Sequence, residues 1–150
     1  MPLFRRQPTK TEQPAATGVH AATFRGRERK VEIVGEASYQ DTISRLAGGK
    51  SENGANLYKV AELVPDPKNR FDPNAVAAKI DGLTVGYLSK EQALGYHRAM
   101  AAFGSASLVG CRARIHGGWK RLNDEGEVDE GYFGVTFLLP QSIAQEIGFS

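Results

Sequence analysis

The chain has one cysteine, Cys111, in 150 residues. No internal disulfide can form, and the simple expectation is a reducing, cytoplasmic setting. A lone thiol also rules out a structural zinc site built on cysteines. The three histidines, His20, His97 and His116, show no HExxH or Cys/His ligand spacing. No apolar run approaches the roughly 18 residues needed to cross a bilayer, and the first residues, MPLFRRQPTK, lack the apolar segment of a secretory signal. A GxSxG nucleophile turn is missing, and the acids of NDEGEVDEG do not follow the calcium-loop order. GGKS at Gly48–Ser51 stops short of a phosphate loop, because Ser44 stands where the first glycine belongs and ENGAN is a poor helix start. Nothing assembles a nucleophile, base and oxyanion donor, so the reading is a non-enzymatic protein with no cofactor and no metal.

What is present is an ordinary globular composition: 41% hydrophobic, 24% charged, net charge +2. The charge is unevenly placed. Residues 1–30 carry seven cations against two acids, a net +5, which leaves −3 for residues 31–150. Residues 1–23 have no apolar period and are rich in Pro, Thr, Ala and Gln, so residues 1–29 read as a disordered basic tail and residues 30–150 as the domain. A basic tail adds non-specific attraction to phosphates.

The domain reads as six short strands. They are Lys30–Glu36, Leu57–Pro65, Asn74–Ile80, Leu83–Ser89, Ser107–Trp119 and Tyr132–Pro140. Asp81-Gly82 between two of them signals a type I′ hairpin, which needs positive φ at both positions. Tyr39, Ile43 and Leu46 fall at helical spacing ahead of a Gly pair. Ser89 is placed to cap a main helix over Lys90–Gly104, and SIAQEIGF suits a short terminal helix. In the fifth strand Val109, Cys111, Ala113 and Ile115 alternate with Arg112 and Arg114. NDEGEVDEG reads as a solvated loop. Without a βαβ rhythm, the expectation is a mainly β, α+β fold: an OB-like six-stranded β-barrel with one main helix and one or two short ones.

One loop is chemically odd. PDPKNRFDPN places an aromatic, Phe71, beside a carboxylate, Asp72, between two strands. Asn69 and Asp72 are suited to holding tight turns, so Asp72 reads equally as a turn cap and Phe71 as a plug over the barrel end. The functional alternative is a ring that stacks a nucleobase, with a carboxylate that repels phosphate and accepts from a hydroxyl.

Three runs carry a resemblance that covers about Lys30 to Leu139: VGEASYQ, LVPDPKNRFDPNAVAAKIDGLTVGYLSKEQA, and CRARIHGGW followed by GYFGV. Together they resemble the HIRAN domain, a module of SWI/SNF-type DNA translocases that also stands alone or fused in bacteria and their phages. The resemblance implies an OB-like barrel that binds the 3′ end of single-stranded DNA. It implies that Tyr39 and Phe71 hold the terminal base, that Asp72 accepts from the 3′-hydroxyl, and that Lys90 meets a backbone phosphate. Ser38 stands where the family has Arg, Phe71 where Tyr is usual, and Tyr87 where His is found. The implied partners are single-stranded DNA 3′ ends, with any helicase, translocase or nuclease on another chain, in repair, replication or mobile-element processing. The alternative is a protein-interaction module of the same fold without an end pocket.

Overall fold

In a computed structural model, residues 27–103 and 109–147 are described. Most of the expected tail, and His20, lie outside them. The first strand nevertheless takes in Glu28 and Arg29, which the sequence assigned to the tail.

The strands are β1 (Glu28–Glu32), β2 (Ala55–Pro65), β3 (Val76–Ile80), β4 (Leu83–Tyr87), β5 (Val109–Gly117), β6 (Lys120–Leu122), β7 (Val128–Glu130) and β8 (Phe133–Pro140). The helices are α1 (Gln40–Ala47), α2 (Lys90–Phe103) and α3 (Gln141–Ile147), with a 3-10 turn at Glu36–Tyr39. Six strands form one antiparallel sheet in the order β1-β8-β5-β2-β3-β4.

Alternation sets the core. On β5, Cys111, Ala113 and Ile115 are fully buried while Arg112 points to solvent, as the sequence pattern requires. Leu63, Ile80, Val85, Val135, Phe137 and Leu139 face them, and Ile43 of α1 joins from one end. Helix α2 buries Ala93, Tyr96, Ala99 and Met100. Helix α3 comes so close to α2 that a Cβ on Gly95 would lie 2.6 Å from the Ile147 backbone. The Asp81-Gly82 turn has φ of 53° and 79°, the type I′ geometry the dipeptide signals. Gly48, at φ 85°, ends α1 with backbone N–H bonds to Arg45 and Ser44 from Gly48 and Gly49, so the GGKS stretch is a helix stop.

Two expectations are corrected. The acidic segment is not a plain loop: β6 and β7 form a small hairpin whose turn is organised by Asn123, its Oδ1 accepting from the amides of Glu125 and Glu127. And the six-stranded sheet is not closed into a barrel. Strand β1 leaves β8 after Glu32 and crosses to β4, but meets it at one residue only, where Val34 and Tyr87 exchange backbone hydrogen bonds of 2.8 and 2.9 Å. Gly35, at φ 84°, then turns the chain into the 3-10 turn, so pairing along β4 stops there. The part of β8 that β1 abandons is satisfied by side chains. Gln40 gives Nε2 to the Phe133 carbonyl at 3.0 Å and takes the Phe133 amide at 2.8 Å, and Glu36 accepts from the Val135 amide at 3.1 Å.

Gly86 sits under this crossing. A Cβ there would lie 2.3 Å from Ile33 Cγ2 and 2.7 Å from the Val34 carbonyl oxygen. We therefore expect Gly86→Ala to lower stability by about 1–3 kcal/mol. Urea denaturation checks it, and an unchanged midpoint would show that the crossing is not tightly packed.

Candidate functional site

The loop between β2 and β3 is closed at its base by the Asp66 amide donating to the Ala75 carbonyl at 2.8 Å. Pro65 and Pro67 restrict the entry and Pro73 the exit. Inside, Asn69 is the organiser. Its Oδ1 accepts from both the Phe71 and Asp72 amides, at 2.9 and 3.0 Å, and its Nδ2 donates to Asp66 Oδ2 at 3.3 Å. Asp72 repeats the device one turn later, its Oδ1 accepting from the Asn74 amide at 2.9 Å. His97 of α2 ties the loop to the helix through a 3.0 Å contact between Nε2 and the Asn74 carbonyl oxygen.

These bonds fix how the two odd residues are shown. Phe71 is 86% exposed, so it is not a plug over the end of the sheet. Its ring has the Arg70 guanidinium 5.9 Å from its centroid. Asp72 is half-buried. It spends one oxygen on the turn, and among the described residues its Oδ2 has no hydrogen-bond partner.

The β1–β4 crossing supplies the rest. The 3-10 turn that follows Val34 carries the exposed Ser38 and the half-buried Tyr39. Because Val34 pairs with Tyr87, the ring of Tyr39 comes within 6.4 Å of the Tyr87 ring, tilted by 48°. Tyr87 in turn donates its hydroxyl to Asp66 Oδ2 at 3.0 Å. A continuous chain of contacts therefore joins Tyr39, Tyr87, Asp66 and Asn69 to the amides of Phe71 and Asp72. The ring found beside Tyr39 is thus Tyr87, while Phe71 reaches the group through hydrogen bonds of the loop. Lys90 is the exposed first residue of α2. The helix start is set by a reciprocal cap, Gln92 amide to Ser89 Oγ and Ser89 amide to Gln92 Oε1, both 3.2 Å.

Sequence reasoning did not single out Asp66 or Arg70. The signal for Asp66 was legible: an acid after Pro65, with Asn three residues on, is the pattern of a side-chain-stabilised turn. Its bond to Tyr87 spans 21 positions and left no local trace.

Among the described residues, no group of three or more His, Cys, Asp or Glu could hold a metal ion, and no helix is long and apolar enough to cross a membrane. Cys111 is fully buried, and burial pushes its thiol well above the ordinary range, as befits an inert side chain.

No family model and no curated protein matches this sequence. Among solved structures, a likeness is found. It is to a HIRAN domain. The match is the crystal structure of the HIRAN domain of human HLTF, at 17% identity and a TM-score of 0.35, covering 81% of this chain and 87% of that one.

Burial, then the hydrogen bond to Asp66, then the nearby Tyr39 push the Tyr87 phenol up to about 12. Tyr87 is therefore a fixed donor at every physiological pH. Because the folded value lies above the unfolded one of about 10, the contribution is complete below pH 10 and is lost as pH rises towards 12. Tyrosinate absorbance should show two phenols titrating late, Tyr87 and the fully buried Tyr96, whose phenol burial also raises, and Tyr87→Phe should remove one of the two and flatten part of the alkaline loss of stability. A late amplitude that is undiminished in Tyr87→Phe would assign it elsewhere.

Proposed function

We propose that the chain is a non-enzymatic HIRAN-type module that captures single-stranded DNA by its 3′-hydroxyl end, in repair, replication or mobile-element processing. The observation that carries this reading is the pairing of Phe71, 86% exposed, with Asp72, whose second carboxylate oxygen is unspent, both held by one Asn69 side chain. An exposed ring on a braced loop offers a π-face to any base, and stacking needs no particular base edge. A carboxylate beside it accepts from a sugar hydroxyl and repels a terminal phosphate. Preorganisation supports the reading: the loop's polar bonds are made within the protein, so little ordering is left for the ligand to bring about.

In this reading Phe71 stacks the last base and Asp72 tests the 3′ end. Tyr39 and Tyr87 form a second aromatic surface, and Lys90 meets a phosphate near the start of α2, where the helix dipole adds to its charge. Ser38 in place of the family's Arg removes one cation, and Arg70 beside Phe71 supplies one from the opposite strand connection. The module acts in the cytoplasm, and a helicase, translocase or nuclease that uses it resides on another chain.

Two substitutions separate the roles. Phe71→Ala removes a side chain that supports no core contact, and should weaken binding of a 3′-hydroxyl oligonucleotide by about 1–3 kcal/mol. Asp72→Asn keeps an oxygen for the Asn74 amide but loses the charge, so it should narrow the preference for 3′-hydroxyl over 3′-phosphate strands. Fluorescence anisotropy at fixed, moderate salt reads both. Equal affinity of the unaltered protein for the two termini would remove Asp72 from its role, and undiminished binding by Phe71→Ala would remove the stack.

A further inference from the structure

We propose that a second site, on the outer face of β1, β8, β5 and β2, binds a nucleotide through its phosphate and its base. This face carries an open groove of about 520 Å³, within the range of small-molecule sites. It is lined by Lys30, Glu32, Asn56, Tyr58, Arg114 and His116, among others, and shares no residue with the β2–β3 loop.

Strand register explains why a groove exists here. Across the sheet, Glu32 lies opposite Thr136, Thr136 opposite Arg114, and Arg114 opposite Tyr58. In the adjoining row Gly134 lies opposite His116, and His116 opposite Asn56. In these two rows the strand β8 thus contributes only Gly134 and the small Thr136 between longer side chains on both flanks, with Leu138 of the same strand also lining the groove. A Cβ at Gly134 would lie 2.4 Å from the His116 ring, so the floor is filled by that imidazole.

The polar groups in the groove are held, and one cationic fork is left to spare. Among the described residues Arg114 uses Nε alone, donating to Asn56 Oδ1 at 2.8 Å, which orients the guanidinium and leaves its two NH2 groups for an anion. Arg112, by contrast, is spent on a bidentate pair with Glu28, at 2.7 and 3.0 Å. Thr136 donates to Glu32 at 3.2 Å, so His116 Nε2 donates to Thr136, at 3.1 Å, and carries a proton. Burial, then the Arg114 charge, hold His116 below its ordinary value, which favours the neutral ring with its proton on Nε2. The acid of the groove, Glu32, is thereby turned towards Thr136, while Lys30 on the same strand is exposed and adds a second cation. Tyr58 is 54% exposed and has the Arg112 guanidinium 4.9 Å from its ring centroid, a flat surface of the kind on which a base stacks. Two cations with free donors, beside a ring, match a phosphate joined to a base better than either alone.

The test is a titration of the full chain, followed by amide NMR, with inorganic phosphate, adenosine 5′-monophosphate, and an oligothymidylate carrying a 3′-phosphate. The nucleotide should shift the amides of Tyr58, Arg114 and His116 along a saturable curve, and inorganic phosphate should bind about tenfold more weakly. Arg114→Gln and Lys30→Gln, both at solvent-facing positions, should each weaken the nucleotide about tenfold, the loss of one charged hydrogen bond. If the oligothymidylate displaces the nucleotide, the source is a nucleotide within a strand; if it does not, the source is free nucleotide; either supports the site. Absence of a saturable shift, phosphate binding as tightly as nucleotide, or full affinity in both variants would overturn it. Phe71→Ala should leave these shifts unchanged, so failure of the end-binding reading and failure of this one are separately visible.

Discussion

A reciprocal pair of backbone hydrogen bonds, between Val34 and Tyr87, is the constraint on which the site depends. Each such bond is worth only about 0.5–1.5 kcal/mol net, so its importance is geometric. It brings the end of β1 across to β4 and then, through the left-handed Gly35, throws the chain into the turn that carries Tyr39. Without that crossing the two tyrosine rings would belong to separate edges of an open sheet. With it, one aromatic pair stands beside Asp66, and Asp66 is the root of the loop that displays Phe71 and Asp72.

The crossing has a cost that the fold meets locally. On its β1 side strand β8 has no partner strand between Phe133 and Val135, which would leave backbone groups unpaired there. Gln40 and Glu36 take the place of the missing strand, bonding to Phe133 and Val135 as a β-partner would. The same short segment, residues 36–40, therefore seals the sheet and presents Tyr39. That double duty explains why a segment of so few residues joins so many parts of the structure.

Much of this was readable in the sequence, for local reasons. The alternation of Cys111, Ala113 and Ile115 with arginines told which face of β5 is buried, and Asp81-Gly82 told the hairpin. Ser89 told where α2 begins. That the sheet stays open was not legible, because it turns on one residue's pairing and on the φ of Gly35, which no period reveals. The β6–β7 hairpin hid behind an acidic composition; its organiser is a single asparagine, Asn123, and its strands are three residues each. At the site, the sequence marked Phe71 and Asp72 as odd and Asn69 as a turn former. It could not show that Tyr87 and Asp66, 21 positions apart, share a hydrogen bond.

The polar devices of the loop all act in one direction: they hold an aromatic ring out in solvent and leave one carboxylate oxygen free next to it. The most direct test of that claim is an amide NMR titration with two short strands that differ only in the 3′ terminus, hydroxyl or phosphate. The account requires the hydroxyl strand to shift the amides of Asn69, Phe71 and Asp72 together with Tyr39, and the phosphate strand to shift them less. If the two strands give the same shifts, or if neither reaches the loop, the loop is a brace for the fold and not a reader of DNA ends.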